Sequence, residues 1–223
     1  MLAPLDLDAI DRVTDYLIAE HNLRLCLLYQ FGADLDEHIE IFAQLARIPP
    51  GGRVVDLGSG VGEVSRLLQK QVPGATFSLV NLSSHQHYYA PEWMEKHACD
   101  LTSVPLPSAS FDSALAIFSF SQCDLDAALR EAFRLLIPGG TLLVYDVLRL
   151  SGDNSRLDRL CCQARTRDEV ADAAMRAGFS CEAFYQPTNY DYTIDDTSLR
   201  EQVLQEFEGT GPGLWQLIKP AVI

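Results

Sequence analysis

Hydrophobic and polar positions alternate along this chain with two different periods, and the switch between them comes near residue 53. Over residues 5–21, apolar groups at Leu7, Ile10, Val13, Leu17 and Ile18 recur every three or four positions, which predicts an amphipathic helix. The same period returns over 34–47, where Leu35, Ile39, Phe42, Ala43 and Ala46 share one face until Pro49-Pro50-Gly51-Gly52 ends it. Between the two lies an apolar stretch, 26–31, with a turn at Gly32. An N-terminal piece of this kind either closes over a ligand or packs on the edge of a sheet.

Beyond residue 53, short apolar runs alternate with helical stretches. Residues 54–57, 76–82, 97–101, 111–118, 141–147 and 179–186 read as strands. Helices are expected over 63–70, from Ser83 to Pro91, over 125–136 and over 166–177. Ile137-Pro138-Gly139-Gly140 reads as a turn, 196–208 as a further helix, and 214–223 as a last strand at a sheet edge, where Pro220 is tolerable. Strands alternating with helices predict an α/β fold with a parallel sheet covered on both faces. With no repeat or linker in the pattern, residues 1–223 read as one domain.

The most informative stretch is Val54-Val55-Asp56-Leu57-Gly58-Ser59-Gly60-Val61-Gly62, a strand, a glycine turn and the start of a helix. Glycines there let backbone N–H groups at a helix start approach a polar ligand. The spacing G-x-G-x-G differs from the dinucleotide fingerprint G-x-G-x-x-G, which counts against a nicotinamide cofactor. Asn81 closes the next strand, and in an open α/β sheet the carboxyl ends of strands are where ligands bind. Ser83-Ser84-His85-Gln86 has the S-x-x-Q form of a capping box, with Ser83 as the cap and Gln86 reaching back.

Charge narrows the partners. The net charge of −14, from 31 acids against 17 lysines and arginines, opposes binding to nucleic acid or to an anionic membrane. No leader-like N-terminus or membrane-length apolar run stands out, so a cytoplasmic protein is expected. The six cysteines, Cys26, Cys99, Cys123, Cys161, Cys162 and Cys181, lack C-x-x-C pairing and read as reduced thiols, with no metal site expected.

In order, Val55-Asp56-Leu57-Gly58-Ser59-Gly60-Val61-Gly62, Cys99-Asp100-Leu101 with Pro105-Leu106-Pro107 and Phe111-Asp112, and Glu131 to Gly140 before Tyr145-Asp146 resemble the class I S-adenosylmethionine-dependent methyltransferases. The resemblance spans residues 50–186. It implies a Rossmann-like seven-stranded sheet whose last strand is antiparallel, with residues 1–50 as helices over the site. The implied partner is a small-molecule methyl acceptor, and the chain would act as a monomer or homodimer. Asn81-Leu82-Ser83-Ser84-His85-Gln86 is similar to a stretch of the sterol- and prenyl-type methyltransferases.

Carried over residue by residue, the resemblance places Asp56, Gly58, Ser59 and Gly60 at the methionine end of S-adenosylmethionine. Asn81 would sit at the ribose, where the family usually has an acid, with Leu82 and Gln86 sharing the task. Asp100 and Leu101 would meet the adenine, and Phe118 or Ser119 the sulfonium or adenosine. Asp56 and Asp100 could instead serve only as caps, Gln86 is explained equally by its capping box, and Asp146 serves either the fold or the substrate. His85, His87, Tyr88 and Tyr89, on the helix after Asn81, are the candidates for a general base. The glutamate that follows the fourth strand in prenyl-diphosphate methyltransferases is replaced here by Ile117-Phe118-Ser119-Phe120-Ser121-Gln122, so that carboxylate chemistry does not carry over. The expected activity is methyl transfer to a small molecule in secondary metabolism. A cofactor-binding regulator without catalysis and a nicotinamide-dependent oxidoreductase are the alternatives.

Overall fold

A computed structural model describes residues 5–21, 32–153, 157, 161–188, 197, 201 and 205–221. Two helices come first, α1 (Leu7–His21) and α2 (Leu35–Leu45). Next come β1 (Arg53–Leu57), α3 (Glu63–Gln71), β2 (Thr76–Asn81), α4 (Ser84–Tyr89), β3 (Glu95–Ala98) and β4 (Phe111–Ile117). The chain continues through α5 (Leu125–Leu135), β5 (Leu136–Arg149), α6 (Arg167–Ala177), β6 (Ser180–Tyr185) and β7 (Thr210–Ile218). The seven strands form one sheet in the order β3-β2-β1-β4-β5-β7-β6. β1 to β5 run parallel, and β7 is antiparallel to both of its neighbours.

Apolar side chains on both faces of the sheet explain why the strands read as continuous runs. On one face, Ala128, Leu129 and Ala132 of α5 and Ala173 of α6 pack on Val55, Ala114 and Leu142. On the other, Ile39 and Phe42 of α2 and Leu68 of α3 pack on Val54, Leu79 and Leu143. Truncating one such leucine to alanine costs about 2–5 kcal/mol, because the cavity left behind only partly collapses. Caps start the helices where polar residues precede the apolar period. Asp34 accepts from the Glu37 amide at 2.9 Å, Asp124 from the Ala127 amide at 2.9 Å, and Thr166 with Glu169 forms a full capping box.

Four expectations need correction. The third strand begins two residues earlier than 97–101 and ends three residues earlier, because its pairing with β2 ends at Asn81↔Ala98 and Asp100 turns the chain by accepting from the Thr102 amide at 2.8 Å. Residues 137–140 do not form a turn between elements but belong to β5. There Gly139 donates to Lys219 O at 2.8 Å, Lys219 donates to Gly140 O at 2.9 Å, and a bulge absorbs the extra residues between the pairs Phe111↔Leu136 and Ser113↔Thr141. The last strand begins at Thr210 and lies inside the sheet, paired with β5 and β6, so the edge falls to β6. The capping box at Ser83 is half formed: the hydroxyl accepts from the Gln86 amide at 3.0 Å, while the Gln86 side chain bonds elsewhere. The segment 22–31, with Cys26 and Tyr29, and most of the helix expected over 196–208 lie outside the described residues.

Candidate functional site

The carboxyl ends of β1, β2, β3 and β4 stand side by side, and a cavity of about 590 Å³ opens over all four. Gly58 and Gly60 follow β1, Asn81 and Leu82 close β2, Asp100 and Leu101 follow β3, and Phe118 follows β4. With Gln86 of α4, these are eight of the ten residues expected to hold a cofactor, and all are in the walls. Asp56 and Ser59 are not.

Each glycine-loop position has a local reason. Gly58 sits at φ +87°, and a Cβ there would lie 2.2 Å from the Cβ of Ser119, whose hydroxyl donates to Leu57 O at 2.6 Å. Gly60, at φ +53°, would point a Cβ into open space. Four of the loop's amides have partners: Gly58 and Ser59 both donate to Val80 O, at 2.8 and 3.0 Å, and Gly62 donates to Ser59 O at 2.8 Å. Gly60 donates to Asn81 Oδ1 at 3.3 Å. At these four positions the N–H groups are turned to the protein itself. An anion such as a pyrophosphate needs free amides, whereas a turn whose amides are satisfied internally suits a cationic ammonium near its carbonyls.

Beneath this loop, Asp56 is only 3 % exposed and accepts from Ser65 Oγ at 2.6 Å. Burial pushes its carboxyl up to about 6, against which the Ser65 bond works only partly. Asp56 therefore lies under the loop and outside the cavity wall.

Asn81 is the most connected wall residue. Its oxygen takes the Gly60 amide, and its nitrogen donates to Ser83 O at 3.1 Å and to Gln86 Oε1 at 2.8 Å. Gln86 in turn donates to Thr14 Oγ1 of α1 at 2.9 Å. Helix α1 forms a roof, placing Leu7 and Ile10 in the cavity walls next to Leu5. It is held on α4 by Ser83 Oγ donating to Asp11 at 2.6 Å and by His85 and Tyr89 meeting Asp15 at 2.7 and 2.6 Å. The apolar stripe of α1 was legible in the sequence, but not which surface it covers. Gln122, Cys123 and Asp124, also in the walls, were signalled only by the cap before α5.

None of the general-base candidates is a wall residue. His85 is engaged with Asp15, which raises the imidazole above its ordinary range through a hydrogen bond. His87 is buried, and its ring nitrogen lies 3.4 Å from Ser59 Oγ. Burial, then Lys96 and His97, lower its pKa. Tyr88 is 80 % exposed and stacks edge-on with Tyr89. Asp146 sits within β5 and accepts from the Ser121 and Val147 amides, both at 2.8 Å, so it fastens the segment after β4. The Cys123 thiol is pushed up to about 12 by burial, which keeps it neutral in the wall. Among the described residues, no cluster of three or more metal-ligating side chains occurs.

Residues 55–144 match the methyltransferase-domain family. A sterol methyltransferase-like protein of Botryococcus braunii is 31 % identical over 164 residues, covering 64 % of this chain and 42 % of its own length. The demethylmenaquinone methyltransferase of Thermus thermophilus is 29 % identical over 128 residues, covering 53 % of this chain and 57 % of its own. The chain thus spans less than two thirds of the length of these relatives. Among solved structures, the [4+2]-cyclase SpnF superposes with a TM-score of 0.84 at 18 % identity, over 100 % of this chain and 98 % of that one. The geranyl diphosphate C-methyltransferase of Streptomyces coelicolor, in complex with Mg2+, geranyl diphosphate and S-adenosyl-L-homocysteine, gives 0.76 at 14 % identity, over 98 % and 99 % of the two chains. At such identities these two likenesses describe the fold.

Proposed function

We propose that this chain, whose residues 55–144 match the methyltransferase-domain family, is a class I S-adenosylmethionine-dependent methyltransferase that methylates a small molecule of secondary metabolism. The observation that carries the proposal is the cavity itself, which joins the glycine loop, Asn81 and Asp100-Leu101 across four adjacent strand ends. The residues fit the cofactor in sequence along the sheet. The turn at Gly58 and Gly60, with Asp56 beneath it, would take the ammonium end. Asn81 and Gln86 would take the ribose hydroxyls, Asp100 and Leu101 the adenine, and Phe118 would present a ring face near the sulfonium. When bound, S-adenosylmethionine supplies an electrophilic methyl on positive sulfur. The chain's part is to orient the partners, and orientation supplies up to about 7–11 kcal/mol of the barrier lowering.

The walls also bear on the acceptor. Among the described residues, their charged groups are Asp100 and Asp124, with no lysine, arginine or histidine. A phosphorylated acceptor would meet carboxylates without a cation, whereas an uncharged, largely apolar one fits Leu5, Leu7 and Ile10 of the roof. The likeness to a sterol methyltransferase-like protein and a demethylmenaquinone methyltransferase supports this class. With His85, His87 and Tyr88 outside the walls, the acceptor is one whose nucleophile needs no imidazole base. Among the described residues, the thiols of Cys99, Cys123, Cys162 and Cys181 support a reducing, cytoplasmic setting.

A second reading is that the chain binds the cofactor without transferring its methyl, since the same fold over the whole chain also serves a [4+2]-cyclase. Calorimetry with S-adenosylhomocysteine, followed by turnover of labelled S-adenosylmethionine against quinols, sterols and prenyl chains, tests both. Binding with transfer is expected. Binding with no transfer to any class would favour the second reading, and absence of binding would sink both.

A further inference from the structure

At the end of β2, the Asn81 amide does what a carboxylate in its place could not. A carboxylate only accepts, whereas the Asn81 amide accepts from Gly60 N at 3.3 Å and donates from its nitrogen to Gln86 Oε1 at 2.8 Å. Gln86 is an amide too and repeats the pattern, passing a donated bond to Thr14 Oγ1 at 2.9 Å. Thr14, buried on the inner side of α1, donates onward to Ile10 O at 2.9 Å. Ile10 is itself a wall of the cavity. One polarised chain of hydrogen bonds therefore runs from the glycine loop through the ribose position to the roof.

We propose that Thr14 is a positioning residue, which through Gln86 and Asn81 couples the seating of α1 over the cavity to occupancy of the cofactor's ribose position. The proposal rests on the cofactor reading given above. The physical reason is cooperativity: a ribose hydroxyl donating to Asn81 Oδ1 polarises the amide and strengthens the bonds its nitrogen donates, and the gain passes down the chain to Thr14. Of the remaining links, those of His85 and Tyr89 to Asp15 hold the helix away from the ribose position, while Ser83, whose hydroxyl donates to Asp11, meets Asn81 only through its backbone carbonyl at 3.1 Å. They set how firmly α1 sits; the Asn81–Gln86–Thr14 line sets whether it responds. Coupling of this kind is reciprocal, so cutting the line weakens cofactor binding by the same factor as it weakens closure.

The test compares the native chain with Thr14→Val, which keeps the shape and removes the hydroxyl, and with Thr14→Ser, which restores it. S-adenosylhomocysteine affinity is measured by calorimetry, and amide hydrogen exchange of residues 7–21 is followed with and without the ligand. In the native chain the ligand should slow exchange in α1 about tenfold. Thr14→Val should lose most of that increment and about three- to tenfold in affinity, the range of one neutral hydrogen bond, and Thr14→Ser should recover both. Should Thr14→Val not fold, Gln86→Met cuts the same link from α4 and should lose the same α1 increment, with a larger loss of affinity because Gln86 also faces the ribose position. A merely structural role would raise exchange in α1 equally with and without ligand, and an undiminished increment in the valine variant would overturn the proposal. Ligand binding to the native chain with no change in α1 would also overturn it. Failure of the native chain to bind the ligand at all would remove the cofactor reading and this coupling together, a result that calorimetry distinguishes.

Discussion

The hydroxyl of Ser65 donates to the carboxylate of Asp56 across 2.6 Å, and both side chains are sealed beneath the glycine loop. Burial raises Asp56 from 3.8 to about 6, so the native state holds a proton there that the unfolded chain has lost. Stability contributed by this group is therefore present below pH 4 and lost as pH rises to about 6, a change of about 3 kcal/mol. Asp56→Asn removes that dependence while keeping an oxygen for Ser65. Urea unfolding should find the variant close to native at pH 4 and more stable at pH 7.5. Parallel curves at both pH values would show that the buried carboxyl is not strained by ionisation.

Two glycines of the loop separate fold from binding. Gly58→Ala places a Cβ 2.2 Å from that of Ser119 and should unfold the loop, with a loss well above the roughly 1–3 kcal/mol of a strained backbone alone. Gly60→Ala meets no atom within 4 Å, so it should retain the fold at the cost of its left-handed backbone, about 1 kcal/mol, yet impair ligand binding, since Gly60 is a cavity wall. Thermal melting and calorimetry on the pair check this, and equal melting points would refute the contrast.

Asn81→Asp exchanges two donated bonds, at 3.1 and 2.8 Å, for a charged acceptor. Hydrogen bonds to charged groups are worth about 1.5–3 kcal/mol against roughly 0.5–1.5 for neutral ones. In the Thr14→Val background, where the link to the roof is already cut, Asn81→Asp should tighten S-adenosylhomocysteine binding about three- to tenfold while the melting temperature falls. Unchanged affinity would take residue 81 out of the ribose site.

The roof should loosen at both ends of the pH scale. Asp15 holds His85 above its ordinary range through their hydrogen bond, so this contact is complete below pH 6.5 and fades as pH rises through the elevated imidazole value. Tyr89 and His85 hold the Asp15 carboxyl below 3.8, so its contribution is complete above that and fades as pH falls further. Asp11 faces the same histidine and adds to its elevation. Protection of the α1 amides, taken relative to intrinsic exchange at each pH, should be greatest between about pH 4 and 6.5, and His85→Gln should flatten its alkaline limb. A native profile with no alkaline loss would show that α1 is held by its other bonds.

Legibility of the site followed the range of the interactions. Gly58, Gly60, Asn81 and Asp100 could be placed because each ends or follows a strand whose apolar run is local. His85 could not, because its partner Asp15 is 70 residues away. Gln86 was half legible: its backbone obeys the Ser83 cap, while its side chain answers to Asn81 and Thr14.

By itself, the sequence determined the alternation of strands and helices, the helix caps and the order of the glycine loop, Asn81 and Asp100, since hydrophobic period and turn chemistry act over a few neighbouring residues. Tertiary structure alone decided that the loop's amides go to Val80 O and Asn81, that Asp56 lies under the loop, that α1 roofs the cavity and that β7 is an interior strand. Each of these depends on which donors and acceptors the sheet has already consumed, as where Ser119 reaches Leu57 O across 62 residues, and no local pattern records that competition.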